Sequence, residues 1–568
     1  MPSAVTNVTV VDQGLISAYG DGVACCADGL LSGRTALAKA GDAFPAQLSE
    51  MPVGRVPHLG EGSGRLMRLL ERLFETGYSI PSDAVIYAAT TVGEIDVLEA
   101  AVRAGKEADA ASSCVSTLGT RVAALLKRSP ETGLTFSAAC ASSTAALAMA
   151  ASAIRRGELS CALVVGCDSL SEFVLSGFSA LMALDARGAR PFDLDRKGVS
   201  LGEAAAYVVL MSEERAVQEG RAVQGYLHGW GVTCDANHLT GPSRDGLPLS
   251  DAIEQALNLS GLNADDVDAI CAHGTGTLYN DQMELLAFHR AIKQRPVPLF
   301  SVKGGMGHTL GAAGLAEMLL SLEFLKRGII PSTIGMGESS PEAVGWASTE
   351  AQAIQQDGVM LTTNSGFGGV NVALLVSYSA MSRRDSLLLT QGQKDVRTQE
   401  QGPASHDAMS HSTFVPPKHF ARFSADAQRA SRALAERLSE EGLFMDEERL
   451  LRWNVTGAPV ARVGLSVWNR KGSLKVNFAY FADYVASGSV LGRGQLFAAT
   501  LPTSVASEVA IACRLTGPLI YVADTAGTDV AARQVARQCI ADGLADAMIL
   551  LDVGETEIEI VFMKEGAL

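Results

Sequence analysis

Residues Thr135 to Ala150 read TFSAACASSTAALAMA, and the pattern places a cysteine where a buried strand turns into a helix. The apolar run Leu134–Ala139 is short and uninterrupted, as in a strand covered on both faces. Small residues continue it, and a helical period then runs over Ser142–Arg156. Cys161–Gly166 supplies the next buried strand, so Cys140 sits at the turn of a strand–helix–strand unit. Backbone N–H groups and the positive end of a helix dipole at such a turn lower a thiol pKa and favour the nucleophilic thiolate. Ala139, Ala141 and Ser142 leave room beside the sulfur for a substrate carbonyl. An inert buried cysteine fits the same string, so the reading depends on the rest of the chain.

Working outward, Val267–Ala272, Val297–Val302 and Asn371–Ser377 read as further buried strands, separated by segments of helical period. That alternation predicts an α/β fold with helices covering both faces of its sheet. The 568 residues are 47% hydrophobic and carry a net charge of −16, which argues against binding nucleic acid or an anionic membrane surface. No apolar run is long enough to span a bilayer, and the start has no basic, then apolar, leader pattern, so a cytoplasmic location is expected. The ten cysteines are scattered without CxxC pairs or metal-ligand spacing, which predicts neither a disulfide framework nor a metal site.

Three more strings fall at strand-to-helix junctions. CAHGTGTLYNDQME, from Cys271, offers a base in His273, two hydroxyls in Thr275 and Thr277 that suit an amide-containing arm, and Asp281 and Glu284 in the first turns of a helix opening near Asn280. SVKGGMGHTLGAAGLAEM, from Ser301, puts Lys303 and His308 in a glycine-rich loop ahead of a small-residue helix. NSGFGGVN, Asn364 to Asn371, flanks Phe367 with glycines, and an amide exposed there could join that of Cys140 as an oxyanion hole. Singly, each also fits an ordinary tight turn. Together, a thiol, two imidazoles and an ammonium suit acyl transfer to sulfur followed by attack of a carbanion.

From Met381 to about Pro417 the sequence turns polar and loses its period, as a linker does. Folded character resumes near Phe420 and contains an echo. Placing Gly157 over Gly543, an offset of 386, aligns RRGELSCALVVGCDS from Arg155 with ADGLADAMILLDVGE from Ala541, and Cys140 then falls on Ala526. The expectation is a duplicated half-domain without a nucleophile that covers a sheet edge or builds an interface. Chance agreement of two α/β units is the alternative.

Residues 1–380 resemble a β-ketoacyl synthase of the elongating, type II fatty-acid or polyketide kind. The matching blocks are AACASS around Cys140, RPFDLDRKGVSLGEA from Arg190, CDANHLTGPSRDG from Cys234, HGTGT from His273, KGGMGHTLGAAG from Lys303 and GFGGVN from Gly366. The resemblance implies a thiolase-like five-layer αβαβα fold, with residues 1–215 and 216–380 as its halves, 381–417 as linker and 418–568 as the extra half-domain. It implies that Cys140 carries the acyl chain, that His273 and His308 promote decarboxylation of a malonyl extender, and that Lys303 and Glu284 organise the charges. Thr275 and Thr277 would hold a phosphopantetheine arm, Phe367 would gate the site, and the amides of Cys140 and Phe367 would form the oxyanion hole. No cofactor is implied beyond the phosphopantetheine of an acyl carrier protein; the carrier is the expected partner, and the assembly a homodimer or a heterodimer with another ketosynthase. A non-catalytic partner subunit of the chain-length-factor kind is the competing reading. The chain departs from the elongating pattern at Ser365, where that family has phenylalanine, and in PETG from Pro130 and GEAAA from Gly202.

Overall fold

The computed structural model describes residues 6–564 apart from 381–415 and short stretches at 61, 76, 294, 418, 447–449, 454–459, 470–471, 491 and 554–557. Nearly all of the expected linker therefore lies outside the described residues. One hydrogen-bonded sheet organises the rest. Its first five long strands are β1 (Val8–Ser17), β2 (Val85–Ala89), β3 (Gly133–Ser137), β4 (Cys161–Asp168) and β5 (Ala204–Ser212). The next five are β6 (Gly225–Cys234), β7 (Val267–Cys271), β8 (Leu299–Phe300), β9 (Val359–Gly366) and β10 (Val370–Ser377). The last four are β11 (Val463–Val467), β12 (Leu519–Ala523), β13 (Ala547–Val553) and β14 (Ile558–Lys564).

Their spatial order is β8-β7-β9-β10-β6-β1-β5-β4-β2-β3-β12-β11-β13-β14. In β3-β2-β4-β5 the first two pairings are parallel and the third antiparallel. The same sequence of directions recurs in β8-β7-β9-β10 and in β12-β11-β13-β14. Three copies of one strand plan are thus joined edge to edge. The first two meet where β1 pairs with both β5 and β6. The first and third meet where β3 runs antiparallel to β12.

Helices fill the spaces in layers. On one outer face α1 (Arg65–Glu75) and α2 (Leu118–Leu125) pack on β1–β5. Between the two five-stranded sets lie α3 (Ser142–Arg155) and the helix Ala313–Arg327, both within one continuous core. α5 (Leu247–Ser260) and α6 (Leu278–Ala291) cover the opposite face, and α4 (Glu172–Ala180) follows β4. This is the five-layer αβαβα arrangement. α3 is buried from Ser142 through Ile154, which accounts for its composition: a helix enclosed all round must be apolar or small on every face. Leu147, Met149 and Ile154 each gain roughly 1.5–3 kcal/mol from full burial there.

The third set of strands lies in the region of the echo. An offset of 386 carries β3 onto Leu519–Ala523, the bounds of β12, and brings Gly157 (φ 72) onto Gly543 (φ 72). Ala526, the counterpart of Cys140, is exposed. The extra region covers the β3 edge and is tied down elsewhere: Trp230 Nε1 donates to Asp542 at 2.9 Å, Gln538 donates to Glu158 at 3.0 Å, and the Cys234 amide donates to the Thr516 carbonyl at 3.0 Å. No helix among the described residues is long and apolar enough to cross a membrane.

Candidate active site

β3 ends at Ser137 and α3 starts at Ser142, so Cys140 is fixed by the four-residue turn between them. Ala139 takes a positive φ of 51°, an uncommon conformation for a residue with a side chain. It is held there by Thr91 Oγ1 and Ser142 Oγ, which donate to its carbonyl at 3.0 and 2.5 Å. The thiol is 5% exposed, and burial pushes its pKa up to about 12, against the opposing pull of the Lys303 ammonium and the Phe367 amide that donates to the sulfur. The sequence-based expectation of a lowered thiol pKa is corrected: burial outweighs the Lys303 ammonium and the Phe367 amide, and Cys140 rests as a neutral thiol.

The loop after β9 brings Phe367 to this turn. Gly366 lies so close that a Cβ there would stand 2.7 Å from the Ala138 carbonyl oxygen and 3.2 Å from the Cys140 amide nitrogen. Only glycine fits. Ser365 is the second-to-last residue of strand β9 and donates to Asn371 Oδ1 at 2.8 Å.

His273 and His308 meet edge to face with ring centroids 5.1 Å apart. Nδ1 of His273 is approached by Lys303 Nζ at 3.3 Å and Asn364 Nδ2 at 3.4 Å, both donors, so it accepts. Nδ1 of His308 accepts the Leu310 amide at 3.3 Å. Each ring therefore carries its proton on Nε2, the nitrogen that can donate to a ligand. Burial first, and the Lys303 ammonium second, hold both imidazoles well below the usual histidine range, so both are neutral at physiological pH. Leu310 and Cys140 line the same cavity, which ties the His308 loop to the thiol.

Lys303 is buried in a one-turn helix, Lys303–Met306, where the sequence reading placed a loop. Its Nζ pairs with Glu317 Oε1 at 2.5 Å and also donates to the His273 carbonyl. Glu317 Oε2 accepts from Asn364 at 2.6 Å, and Asn364 Oδ1 accepts from Thr144 Oγ1 at 2.6 Å. Glu317, Asn364 and Thr144 are absent from the sequence-based set. A lone acid inside the apolar string GLAEMLL was the available signal for Glu317.

Glu284 has another task than pairing with Lys303 directly. It accepts the amides of His273 and Gly274 at 2.8 and 2.7 Å, Asn280 Nδ2 at 2.9 Å and Thr363 Oγ1 at 3.0 Å, and so sets the shape of the HGTGT turn. Burial, then the neighbouring Asp281, raises its pKa to about 7. Thr275 and Thr277 lie side by side on that turn with hydroxyl oxygens 2.9 Å apart. Asp168 accepts Thr90 Oγ1 at 2.6 Å and the Thr91 and Gly311 amides at 2.8 and 2.6 Å, holding the Thr91 and His308 loops together.

Fold and site together define a thiolase-like α/β protein with a thiol, two neutral imidazoles and a buried lysine at the ends of its strands. Residues 90–216 match the family described as beta-ketoacyl synthase, N-terminal domain, and residues 224–337 match its C-terminal domain. Through these residues the chain is similar to β-ketoacyl synthases. It is 32% identical over 248 residues to 3-oxoacyl-[acyl-carrier-protein] synthase 2 of Rhizobium meliloti, an alignment covering 42% of this chain and 59% of that protein. The chain spans 53% to 61% of the length of curated relatives it matches. Among solved structures, the ishigamide ketosynthase/chain length factor is similar at TM-score 0.61 and 28% identity over 66% of this chain and 100% of that one. The PfaC ketosynthase–chain length factor covers 96% of this chain and 73% of its own at TM-score 0.72; at 15% identity it shows shared fold alone.

Proposed function

We propose that the chain is a β-ketoacyl synthase: it condenses an acyl group held on Cys140 with a malonyl group carried by an acyl carrier protein, in fatty-acid, polyene or polyketide synthesis. The observation that carries this reading is the pair of neutral imidazoles 5.1 Å apart, each with Nδ1 accepting and Nε2 left as donor. General base catalysis would need only one. Two donors converging on one oxygen suit a thioester that becomes an enolate.

In the first step the Cys140 sulfur attacks the acyl thioester of the carrier arm, the carbon–sulfur bond to the arm breaks, and the thiol proton leaves with the arm's sulfur. The amides of Cys140 and Phe367 hold the oxyanion. In the second, the malonyl carboxylate leaves as carbon dioxide while Nε2–H of His273 and His308 stabilises the enolate oxygen. The enolate carbon then attacks the acyl carbonyl on Cys140, and collapse of the tetrahedral adduct expels the sulfur, which recovers a proton. Lys303, fixed by Glu317, keeps Nδ1 of His273 an acceptor and both rings neutral. Thr275 and Thr277 receive the phosphopantetheine arm. No further cofactor takes part.

Retention of Cys140 favours catalysis over the non-catalytic partner-subunit reading. Incubation with an acyl thioester of the carrier should add the acyl mass to Cys140 in the native protein and not in Cys140→Ala. A native Cys140 that stays unmodified, in a protein that nonetheless stimulates a second synthase, would reverse that preference.

A further inference from the structure

Asp168 closes β4, is fully buried, and forms no ion pair among the described residues. Burial pushes its pKa up to about 6, which still leaves it ionised at neutral pH. Four donors meet that charge. Oδ1 accepts Thr90 Oγ1 at 2.6 Å and the Val92 amide at 3.4 Å, and Oδ2 accepts the Thr91 and Gly311 amides at 2.8 and 2.6 Å. A carboxylate can accept all four because it has no proton of its own to offer. An amide of the same shape would set its N–H groups against one of the two pairs.

These donors lead in two directions. The Thr91 hydroxyl holds the carbonyl of Ala139, the positive-φ residue next to Cys140. Gly311 follows Leu310, which also has a positive φ (53°) and whose amide donates to His308 Nδ1. The segments meet with no room for a methyl group: a Cβ on Gly311 would stand 2.6 Å from both Asp168 Oδ2 and the Thr91 amide nitrogen. A displaced carboxylate is therefore felt at the thiol's turn and at the imidazole together. Its charge also reaches the sulfur, where it opposes the Lys303 ammonium and disfavours thiolate.

Resting on the reading of Cys140, His273 and His308 as a condensing set, we propose that Asp168 is a positioning residue for both half-reactions. Its carboxylate sets the Cys140 turn through Thr91, and the proton position of His308 through Gly311 and Leu310.

The native protein, Asp168→Asn and Thr91→Val are compared by three rates: alkylation of Cys140 by iodoacetamide at about pH 7, acyl transfer from an acetyl carrier thioester to Cys140, and carbon dioxide release from the malonyl carrier thioester. Iodoacetamide needs no oxyanion hole and reads the thiolate alone, so Asp168→Asn should alkylate about threefold faster or more. Its acyl transfer and decarboxylation should each fall about tenfold or more. Thr91→Val keeps the amide to Asp168 but loses the bond to Ala139. It should slow acyl transfer more than decarboxylation, and it carries the test if the asparagine variant misfolds. A native rate for either half-reaction in Asp168→Asn, alkylation that stays level or falls with them, or equal losses in Thr91→Val each overturn the proposal and leave the condensing reading intact. A native protein that neither gains acyl mass at Cys140 nor releases carbon dioxide overturns the condensing reading, and the role of Asp168 with it.

Discussion

Phe136 and Val522 face each other across the antiparallel junction of β3 and β12, and they are related by the same offset of 386 residues that carries Gly157 onto Gly543. The partners on either side exchange places: Ser137 pairs with Tyr521 and Thr135 with Ala523. Such reciprocity is the mark of a two-fold axis, here between two segments of one chain. The strand order β5-β4-β2-β3 is mirrored as β12-β11-β13-β14 on the other side of that axis.

Removing the C-terminal half-domain should therefore expose the β3 amides and carbonyls that face β12, together with the Cys140 cavity. A chain ending at residue 380 should self-associate through that edge. Light scattering on the truncated and full-length proteins checks this, and a truncated chain that stays monodisperse at the mass of one copy, with an unchanged melting temperature, contradicts it.

The burial of Cys140 sets its reactivity before substrate arrives. With the thiol pushed up to about 12, only the small thiolate fraction reacts, and that fraction grows as protons are removed. Alkylation of Cys140 by iodoacetamide should therefore be slow near neutrality and rise about tenfold for each pH unit from about pH 7 to about pH 10. Exposed Cys25 gives an internal reference by peptide mass spectrometry. A rate at Cys140 that levels off near about pH 8 would contradict the burial argument.

Glu317→Gln leaves the Lys303 ammonium buried without its counter-charge, which costs about 3–5 kcal/mol. The double variant Glu317→Gln, Lys303→Met removes both charges and should recover most of that stability in a denaturant titration. Malonyl decarboxylation should not recover with it, because His273 Nδ1 has lost the Lys303 ammonium and keeps only the neutral Asn364 amide at 3.4 Å. Recovery of both together would mean that Lys303 acts only in folding.

A Cβ at Gly314 would lie 1.7 Å from Thr144 Oγ1, so Gly314→Ala should destabilise by about 1–3 kcal/mol through overpacking. Thr144→Ala made in the same chain removes the clashing hydroxyl. The pair should couple favourably in a double-mutant cycle of unfolding free energies. Additive losses would place the strain elsewhere.

Much of the frame was legible because buried strands and helices leave short-range patterns. β3 was expected at Leu134–Ala139 and runs Gly133–Ser137; α3 was expected at Ser142–Arg156 and runs Ser142–Arg155. Val297–Val302 shrinks to Leu299–Phe300, where the chain bends early into the Lys303 helix. The echo was visible as an offset of 386, which carries β3 onto β12 and the start of β4 onto the start of β13, whereas β2 and β11, and β5 and β14, stand at other spacings. The Lys303–Glu317 pair was not read, since two residues 14 apart on different elements leave no periodic trace. Nor was Asp168, whose partners Thr91 and Gly311 lie far from it in the chain and on two different loops. The thiol pKa was misjudged because a string of letters shows a helix start but not how little water reaches it.

The order of synthesis gives the junction a further meaning. Phe136 leaves the ribosome 386 residues ahead of Val522, an interval of roughly 20–80 s at about 5–20 residues per second. Once residue 377 has emerged, ten of these fourteen strands are present and β3 has no partner on its outer side until β12 is made. The last-made strands thus close the edge that one of the first-made strands leaves open.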